Sequence, residues 1–311
     1  MPRESLGDRI AAFQYESMER IATRWPPRLA KTLFRLYGWA GFEYMGSMRA
    51  TVAANLAQVL GRPANSELVQ AATREAFDLY ARYWYDAFRS RIMTPEEVNR
   101  RFVMENRGAI DRALEQGRGC IVSLPHVGNW DLAGLYMCVN GYRLCAVAER
   151  LANTRVFEQF LRHREEAGLK IVALDTEGAT RVGPELLALL ADNWVISLVA
   201  DRDLTGRGVD VEMFGATRKL PAGPALLSLS SGAPLLSAYI HTTDDGWYCR
   251  ISDPLEIERT GEMRADVTAL TKALAAVFER GIAAKPTDWH MFQPAWGDAA
   301  AEPAEASFLT Q

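Results

Sequence analysis

The sequence has few cysteines and few histidines, with four of each in 311 residues. The cysteines lack the short spacing of a zinc or redox motif, which argues against a metal centre built on them. Three of the four lie in apolar runs, where a side chain is usually buried. We therefore expect buried free thiols, typical of a protein from a reducing compartment.

Long hydrophobic runs are also missing. The N-terminus lacks the apolar core of a signal peptide, and no stretch reaches the roughly 18 apolar residues that span a bilayer. The sequence contains no G-x-G-x-x-G or Walker pattern for cradling phosphates. Its net charge of −4 gives no reason to expect nucleic-acid binding. These absences predict a soluble or peripheral protein with no nucleic-acid partner.

What the sequence does contain is a regular alternation of strands and helices after a helical first part. Residues 8–90 are predicted to be helical, and an aromatic stripe at helical spacing within them is expected to be core, comprising Tyr80, Tyr83, Trp84, Tyr85 and Phe88. Beyond them, strands are predicted at 119–124, 144–148, 170–174 and 194–199, with helices at 129–139, 153–167 and 179–191. This alternation predicts an α/β fold, a mostly parallel central sheet flanked by helices, with strands 235–240 and 247–251 adding a mixed edge. We expect a single domain over 1–297 and a frayed tail over 298–311.

The strongest candidate for chemistry is the loop after the first of these strands. His126 lies at the carboxyl end of that strand, where open α/β sheets bind ligands, and Asn129 suits the N-cap of the next helix. A loop-then-helix turn, in which Gly128 allows close backbone approach, can fold the imidazole back onto the carboxylate of Asp131. That contact would fix the tautomer and leave the other ring nitrogen free as a base. The alternative is a structural histidine, the usual role of a lone histidine near a helix start.

Charged residues follow two further predicted strands. Glu149 and Arg150 end one of them, and Asp201 and Arg202 end another. Because the carboxyl ends of parallel strands meet at one edge, we expect both clusters in the crevice of His126. Either cluster alone would be interpreted as a solvated loop.

Three other features have both a structural and a functional interpretation. Arg164 lies among charges on a predicted helix, as a solvated side chain or as a ligand for an anionic group. Pro221, Ala222 and Gly223 form a turn before an apolar helix, whose first N–H groups could hold an anion or an oxyanion. His290 lies among aromatic residues, which favours a packed residue over a catalyst.

The segment 28–42 is predicted to form an amphipathic helix. Leu29, Leu33, Leu36, Tyr37 and Ala40 would share one face, Phe34, Trp39 and Phe42 would widen the apolar surface, and Arg28, Lys31 and Arg35 would form a basic strip. Such a helix can lie in a membrane interface, where cations meet anionic lipid. The alternative is that it packs on the core and leaves a solvated basic side.

Taken together and in order, these motifs resemble those of a known family. The blocks are His126–Asp131, Asp201-Arg202-Asp203, Phe214-Gly215 with Pro221-Ala222-Gly223-Pro224, and Asp288-Trp289-His290. They resemble the bacterial lipid A lauroyl/myristoyl acyltransferase superfamily, and within it they look most like the phosphatidylinositol mannoside acyltransferases. Asp201 stands where these enzymes carry a glutamate, one methylene longer. The amino-terminal membrane span of the lipid A enzymes is missing, which favours the mannolipid branch.

The resemblance implies an acyl-CoA-dependent O-acyltransferase. It would move a fatty acyl group from a donor such as palmitoyl-CoA to a sugar hydroxyl of a membrane glycolipid, a mannose of phosphatidylinositol mannoside. His126 would be the general base, oriented by Asp131, with Asp201 supporting the imidazolium. No serine or cysteine is paired with His126 in the sequence, so direct transfer is expected, with no metal or bound cofactor. The candidates for positioning phosphate and sugar groups are Glu149, Arg150, Arg164 and Arg202.

Other functions are compatible with the same motifs. A lipid A-type, other glycolipid or lysophospholipid acyltransferase would use the same base, and an acyl-CoA thioesterase would use water as the acceptor. A lipid-binding protein without activity would keep the groove but would not need the histidine geometry. For the acyltransferase we expect a peripheral protein on the cytoplasmic face of the cell membrane, whose oligomeric state the sequence leaves open.

Overall fold

The structure is a computed structural model that describes residues 6–150, 153–174 and 179–297, with only the backbone described for 179–181. The helices are α1 (Leu6–Arg24), α2 (Pro27–Tyr44), α3 (Gly46–Leu60), α4 (Glu67–Arg89), α5 (Pro95–Arg101), α6 (Gly108–Leu114), α7 (Trp130–Val139), α8 (Thr154–Glu166), α9 (Ala179–Ala191), α10 (Gly223–Ser231) and α11 (Met263–Ala284). The strands are β1 (Phe102–Glu105), β2 (Cys120–Leu124), β3 (Leu144–Glu149), β4 (Lys170–Leu174), β5 (Val195–Val199), β6 (Val209–Met213), β7 (Ala216–Leu220), β8 (Leu235–Thr242) and β9 (Trp247–Ile251). The predicted tail over 298–311 lies outside the described residues.

Seven of the strands form one sheet in the order β1-β9-β8-β2-β5-β3-β4. All neighbouring pairs are parallel except β8 and β9, which are antiparallel. The predicted α/β class and the mixed edge are therefore confirmed. The remaining strands, β6 and β7, form a separate antiparallel hairpin that the sequence analysis did not predict.

The central strand β2 is buried along its whole length because helices cover both faces of the sheet. Cys120 and Val122 pack into a cluster with α6 and α7, whereas Ile121 between them packs with α9, α10 and α11. Successive side chains of a strand point to opposite faces, so a strand covered on both sides needs a continuous apolar run. This is why Cys120–Leu124 is apolar except for the small residue Ser123.

The helical N-terminal part is built around α4, and the prediction of helices over 8–90 is confirmed. Ser66 caps α4 with its hydroxyl, which accepts a hydrogen bond from the Val69 N–H at 3.4 Å. Helices α1, α2 and α3 all pack on α4. The predicted aromatic core of this helix is present, and two of its members, Tyr80 and Tyr83, pack against the ring of His290.

The amphipathic helix α2 forms as predicted, but its apolar face differs from the predicted one. Phe34 and Phe42 are buried against α4 in two aromatic clusters, so the prediction that they extend an exposed surface is wrong. The periodicity identifies a helix but cannot show which part of a wide apolar face a neighbouring helix will cover. The exposed apolar residues are Leu29, Leu36 and Trp39. No helix in the described ranges is long and apolar enough to cross a bilayer.

Candidate active site

The loop after β2 is held in one shape by Gly128 and Asn129. Gly128 has a φ of +65°, and a Cβ there would lie 2.1 Å from the backbone oxygen of Ile240. The Asn129 side chain accepts a hydrogen bond from the Leu132 N–H at 3.0 Å and so caps the N-terminus of α7. It also donates to the backbone oxygen of Tyr83 at 3.2 Å. The predicted N-cap and the predicted close backbone approach at Gly128 are both confirmed.

His126 is paired with Asp201, and the sheet explains why. Strands β2 and β5 are parallel neighbours with Leu124 opposite Val199, so the residues two positions further along each strand emerge side by side. The Nδ1 atom of His126 lies 2.5 Å from Oδ1 of Asp201. The backbone N–H of His126 also donates to Oδ2 of Asp201 at 3.1 Å. The carboxylate therefore fixes both the ring and the backbone of the histidine.

Asp131 does not have the predicted contact with the imidazole. Its Oδ1 lies 2.7 Å from Nε of Arg164 on α8, and its Oδ2 accepts from the Tyr83 hydroxyl at 2.6 Å. The prediction that Asp131 orients His126 is wrong, because the first turn of α7 directs this carboxylate towards α4 and α8. Arg164, predicted to bind substrate, is likewise used in this ion pair, with its guanidinium 3.9 Å from the Phe160 ring centroid.

The charge state of both carboxylates follows from their neighbours. Burial acts to raise the pKa of Asp131, but the Arg164 guanidinium outweighs it and holds that pKa below the ordinary value. Burial also acts to raise the pKa of Asp201. The interactions with His126, with Arg218 and with the Trp289 N–H outweigh burial, so the pKa of Asp201 lies well below its usual range. Both groups are ionised at neutral pH.

The segment Asp288–His290 holds the loop in place through its backbone. Val127 and Trp289 form an isolated antiparallel bridge. The backbone N–H of Gly128 donates to the backbone oxygen of Asp288 at 2.9 Å, and the backbone N–H of His290 donates to the backbone oxygen of His126 at 2.8 Å. The Trp289 indole N–H also donates to Oδ2 of Asp201 at 2.8 Å. This segment therefore supports both members of the His126–Asp201 pair.

His290 itself is a packed residue, as predicted. It is 7% exposed, and its ring centroid lies 5.4 Å from those of Tyr80 and Tyr83. Burial lowers the pKa of His290 to about 4, so the ring is neutral at physiological pH.

Two of the predicted strand-end residues meet beside the pair. Glu149 ends β3, and Arg202 follows Asp201 in the chain. Oε2 of Glu149 lies 3.9 Å from Nη2 of Arg202. Strands β2, β5 and β3 are consecutive in the sheet, so Glu149, Asp201 and His126 lie at one edge. Arg150 is exposed, with its guanidinium 5.7 Å from the Phe157 ring centroid of α8.

The predicted turn Pro221-Ala222-Gly223 leads into α10, whose first residue is Gly223. The Leu226 N–H donates to the Ala222 oxygen at 2.9 Å, which closes the first helical turn. Among the described residues, no hydrogen bond joins this turn to His126 or Asp201. Its proposed role in holding an anion or oxyanion stays a prediction.

The arrangement suits the imidazole to act as a base. With Nδ1 bound to Asp201, Nε2 is the nitrogen left for a substrate, and no residue in the described ranges occupies it. Ser123, near the end of β2, donates to the backbone oxygen of Leu198 at 3.2 Å instead. Burial raises the pKa of the Cys120 and Cys145 thiols to about 12. Such thiols are poor nucleophiles at neutral pH.

Comparison with known proteins agrees with the resemblance seen in the motifs. The sequence profile of the bacterial lipid A biosynthesis acyltransferases matches residues 9–297. The chain belongs to this acyltransferase family.

Two relatives within the family carry a more specific name. The chain is 35% identical over 297 residues to the phosphatidylinositol mannoside acyltransferase of Mycolicibacterium smegmatis, which covers 94% of each chain. It is 37% identical over 247 residues to the phosphatidylinositol mannoside acyltransferase of Mycobacterium tuberculosis, covering 78% of this chain and 75% of the relative.

Sequence reasoning missed three residues around this acyltransferase site. Tyr83 was assigned only to an aromatic core, Trp289 was noted only as part of a motif, and Arg218 was not singled out. A signal existed for Arg218, because it is a charged residue two positions before Leu220 in an alternating strand, where an apolar residue is expected. For Tyr83 and Trp289 the sequence contains no signal, since their hydroxyl and N–H partners lie 48 and 88 residues away.

Proposed function

We propose that the protein transfers a fatty acyl group from an acyl-CoA, such as palmitoyl-CoA, to a mannose hydroxyl of phosphatidylinositol mannoside. The family membership supports acyl transfer, and the names of the two mycobacterial relatives support the mannolipid acceptor. The observation that carries the mechanism is the contact between His126 Nδ1 and Asp201, which leaves Nε2 for an acceptor hydroxyl.

In the proposed reaction, Nε2 of His126 takes the proton of the acceptor hydroxyl as its oxygen attacks the thioester carbonyl carbon. A C–O bond forms and the C–S bond to CoA breaks. The imidazolium returns its proton to the departing thiolate, so CoA leaves as the thiol and His126 ends neutral. Asp201 stabilises the imidazolium between these two transfers. General base catalysis of this kind contributes typically ~10²–10⁴-fold in rate.

Glu149 and Arg202 are the best placed candidates for holding the acceptor. Nε and Nη2 of Arg202 are buried, and no described residue accepts a hydrogen bond from them. Buried guanidinium donors favour an anionic or polyhydroxyl ligand, because a phosphate or sugar oxygen would satisfy them. Glu149 would accept from a sugar hydroxyl beside them. Arg150, at the rim, is proposed to meet the phosphate groups of a substrate.

The lipid substrates require a surface that meets the membrane, and we propose that α2 provides it with α1. Leu29, Leu36 and Trp39 of α2 are each about half exposed, between 46% and 58%. Arg28 and Arg35 are exposed on the same helix. Leu6, Ile10 and Phe13 of α1 add exposed apolar side chains at helical spacing. Because acyl-CoA is a cytoplasmic metabolite, we propose docking on the cytoplasmic face.

Charge reversal on α2 tests this docking surface. Each cation near an anionic membrane contributes about 1 kcal/mol, so changing Arg28, Lys31 and Arg35 together to Glu is expected to weaken liposome binding at least about tenfold. Cosedimentation with anionic liposomes measures the change, and high salt should weaken binding of the unmodified protein in the same way.

The matched control for docking is the same reversal on α11, at its exposed residues Arg264, Lys272 and Arg280. This triple variant should bind liposomes like the unmodified protein. Equal loss in both triple variants, or no loss on α2, would show that the docking surface lies elsewhere.

The proposed reaction is tested by incubating the purified protein with labelled palmitoyl-CoA and a panel of acceptors. The panel contains phosphatidylinositol mannoside, phosphatidylinositol without mannose, a lysophospholipid, a lipid A precursor and buffer alone. We expect label only on the mannose-bearing lipid. Equal labelling of phosphatidylinositol would reject the sugar acceptor, and free fatty acid released at the same rate without any lipid would identify a thioesterase.

A further inference from the structure

Arg218 is a charged residue at a position that belongs to the core. It lies on β7 opposite Val211 of β6, and the hairpin turns Val211, Met213, Arg218 and Leu220 to its inner face. Its three inner neighbours are apolar and at most 1% exposed, and Arg218 itself is 6% exposed. Burying a guanidinium costs free energy unless its charge is compensated by an opposite charge nearby.

Arg218 contacts the His126–Asp201 pair through the backbone of Asp201 and through Trp289. Its Nη2 donates to the backbone oxygen of Asp201. Its guanidinium carbon lies 5.6 Å and 5.1 Å from the ring centroids of Trp289 and Trp296, close enough for cation–π attraction. Trp289 is the residue whose indole N–H donates to the Asp201 carboxylate. Arg218 therefore touches both the backbone of Asp201 and a side chain that supports its carboxylate.

Hydrogen bonds alone do not account for an arginine at this position. Among the described residues, none accepts from its Nε or Nη1, although both are buried. Asp201 is the carboxylate whose charge acts on Arg218, and Arg218 in turn favours the ionised form of Asp201. An apolar residue would fill the space without leaving donors unpaired, so the charge is the property that this position uses.

We propose that Arg218 is a positioning residue that holds Asp201 in place through its backbone oxygen and through Trp289, and whose charge tunes the pH at which the His126–Asp201 pair takes up its proton. This rests on the proposed function only for the role of the base. The charge balance of the three residues is a property of the protein without substrate.

The other titratable groups packed around the pair are His290, Arg202 with Glu149, and Asp288, which is paired with Lys285 at 3.2 Å. His290 faces His126 from the segment after α11, and since burial lowers its pKa to about 4 it carries no charge near neutral pH. Arg202, next to Asp201 in the chain, is opposed by Glu149 at 3.9 Å. Arg218 is therefore a cation beside Asp201 whose removal leaves the proposed acceptor site, Glu149 and Arg202, unaltered.

The test measures the pH at which the pair takes up its proton, with no substrate present. The imidazole resonances of His126 are identified by NMR from their loss in His126→Gln, and are followed against pH in Arg218→Met. Methionine keeps an unbranched apolar side chain between the two tryptophan rings. Lys219→Met is the matched control, because it removes the same charge from the next residue, which pairs with Asp210 at 2.7 Å.

Removing a neighbouring positive charge favours the protonated form of the pair. In Arg218→Met we therefore expect proton uptake by the His126–Asp201 pair to move to higher pH by about one unit or more. Lys219→Met should leave it in place, and Arg218→Lys, which keeps the charge, should stay within about half a unit. A folded Arg218→Met protein whose titration matches that of the unmodified protein would overturn the proposal and leave Arg218 a purely structural role.

The acid limb of the pH profile for acyl transfer should move in the same direction, with about a tenfold loss of kcat/KM per unit on that limb. A shift in the NMR titration without acyl transfer in any variant would reject the proposed function and support this inference. Acyl transfer activity together with an unchanged titration in Arg218→Met would support the proposed function and reject this inference.

A second measurement covers the case in which Arg218→Met does not fold. Removing one partner of a buried charge pair is costly, while removing both is often tolerated. The double variant Asp201→Asn with Arg218→Met should therefore fold and melt closer to the unmodified protein than Arg218→Met alone. A double variant that is as unstable as the two losses added together would overturn the pairing of these charges.

Discussion

His126→Ala is expected to abolish acyl transfer while the protein remains folded. General base catalysis contributes about 10²–10⁴-fold, and a fall of at least 100-fold in kcat is therefore the expected result. The imidazole side chain is 21% exposed and packs edge-on to Trp130, so its loss leaves only a shallow gap. Turnover of palmitoyl-CoA in the presence of acceptor measures the effect, and circular dichroism and thermal melting report the fold.

Rescue by added imidazole distinguishes a lost base from a damaged site. A small base that enters the space left by the side chain should restore part of the activity of His126→Ala, and restore more as the pH rises. If the folded variant retains near-normal turnover, His126 is not the base and the mechanism proposed above is wrong.

The second large effect separates the two aspartates, which the structure places in different roles. Asp201→Asn retains the shape of the side chain but can present its NH₂ group to Nδ1, which favours the wrong imidazole tautomer. A loss of activity on the order of 10³–10⁴-fold is expected, as for carboxylates that orient a catalytic histidine. The melting temperature should change much less than the activity.

Asp131→Asn is expected to act on stability instead. It leaves the Arg164 guanidinium, whose side chain is 14% exposed, without its carboxylate, and an uncompensated buried charge costs about 3–5 kcal/mol. Replacing Arg164 with Met in the same protein should recover much of that loss. If Asp131→Asn melts like the unmodified protein but is inactive, while Asp201→Asn is active, then Asp131 orients the imidazole after all.

The exchange of roles between these aspartates shows what the sequence could and could not determine. His126, Asn129 and Gly128 were identifiable because a strand, an N-cap and a left-handed glycine are local features. The resemblance implied that Asp201 supports the imidazolium, but the direct contact depended on β2 and β5 being neighbours, although α7, β3, α8, β4 and α9 lie between them in the chain. That order follows from the packing of the whole sheet and has no local signal.

The same limit applies to α2 and to the reach of Asp201. The helical period of α2 was visible, but which of its apolar residues face α4 depended on the tertiary packing, so Phe34 was misplaced. The motif resemblance implied a glutamate at the position of Asp201. The shorter aspartate still approaches His126 to 2.5 Å because the parallel register of β2 and β5 brings the two backbones together.

The central claim, direct transfer by a His126–Asp201 base, is tested most directly by the dependence of CoA release on the acceptor. In a rapid-quench experiment with enzyme in excess over palmitoyl-CoA, we expect CoA to appear only when phosphatidylinositol mannoside is present. Intact-mass spectra of the enzyme after treatment with palmitoyl-CoA alone should show no adduct. A burst of CoA without acceptor, together with a stoichiometric palmitoyl adduct on Ser123 or a cysteine, would contradict direct transfer.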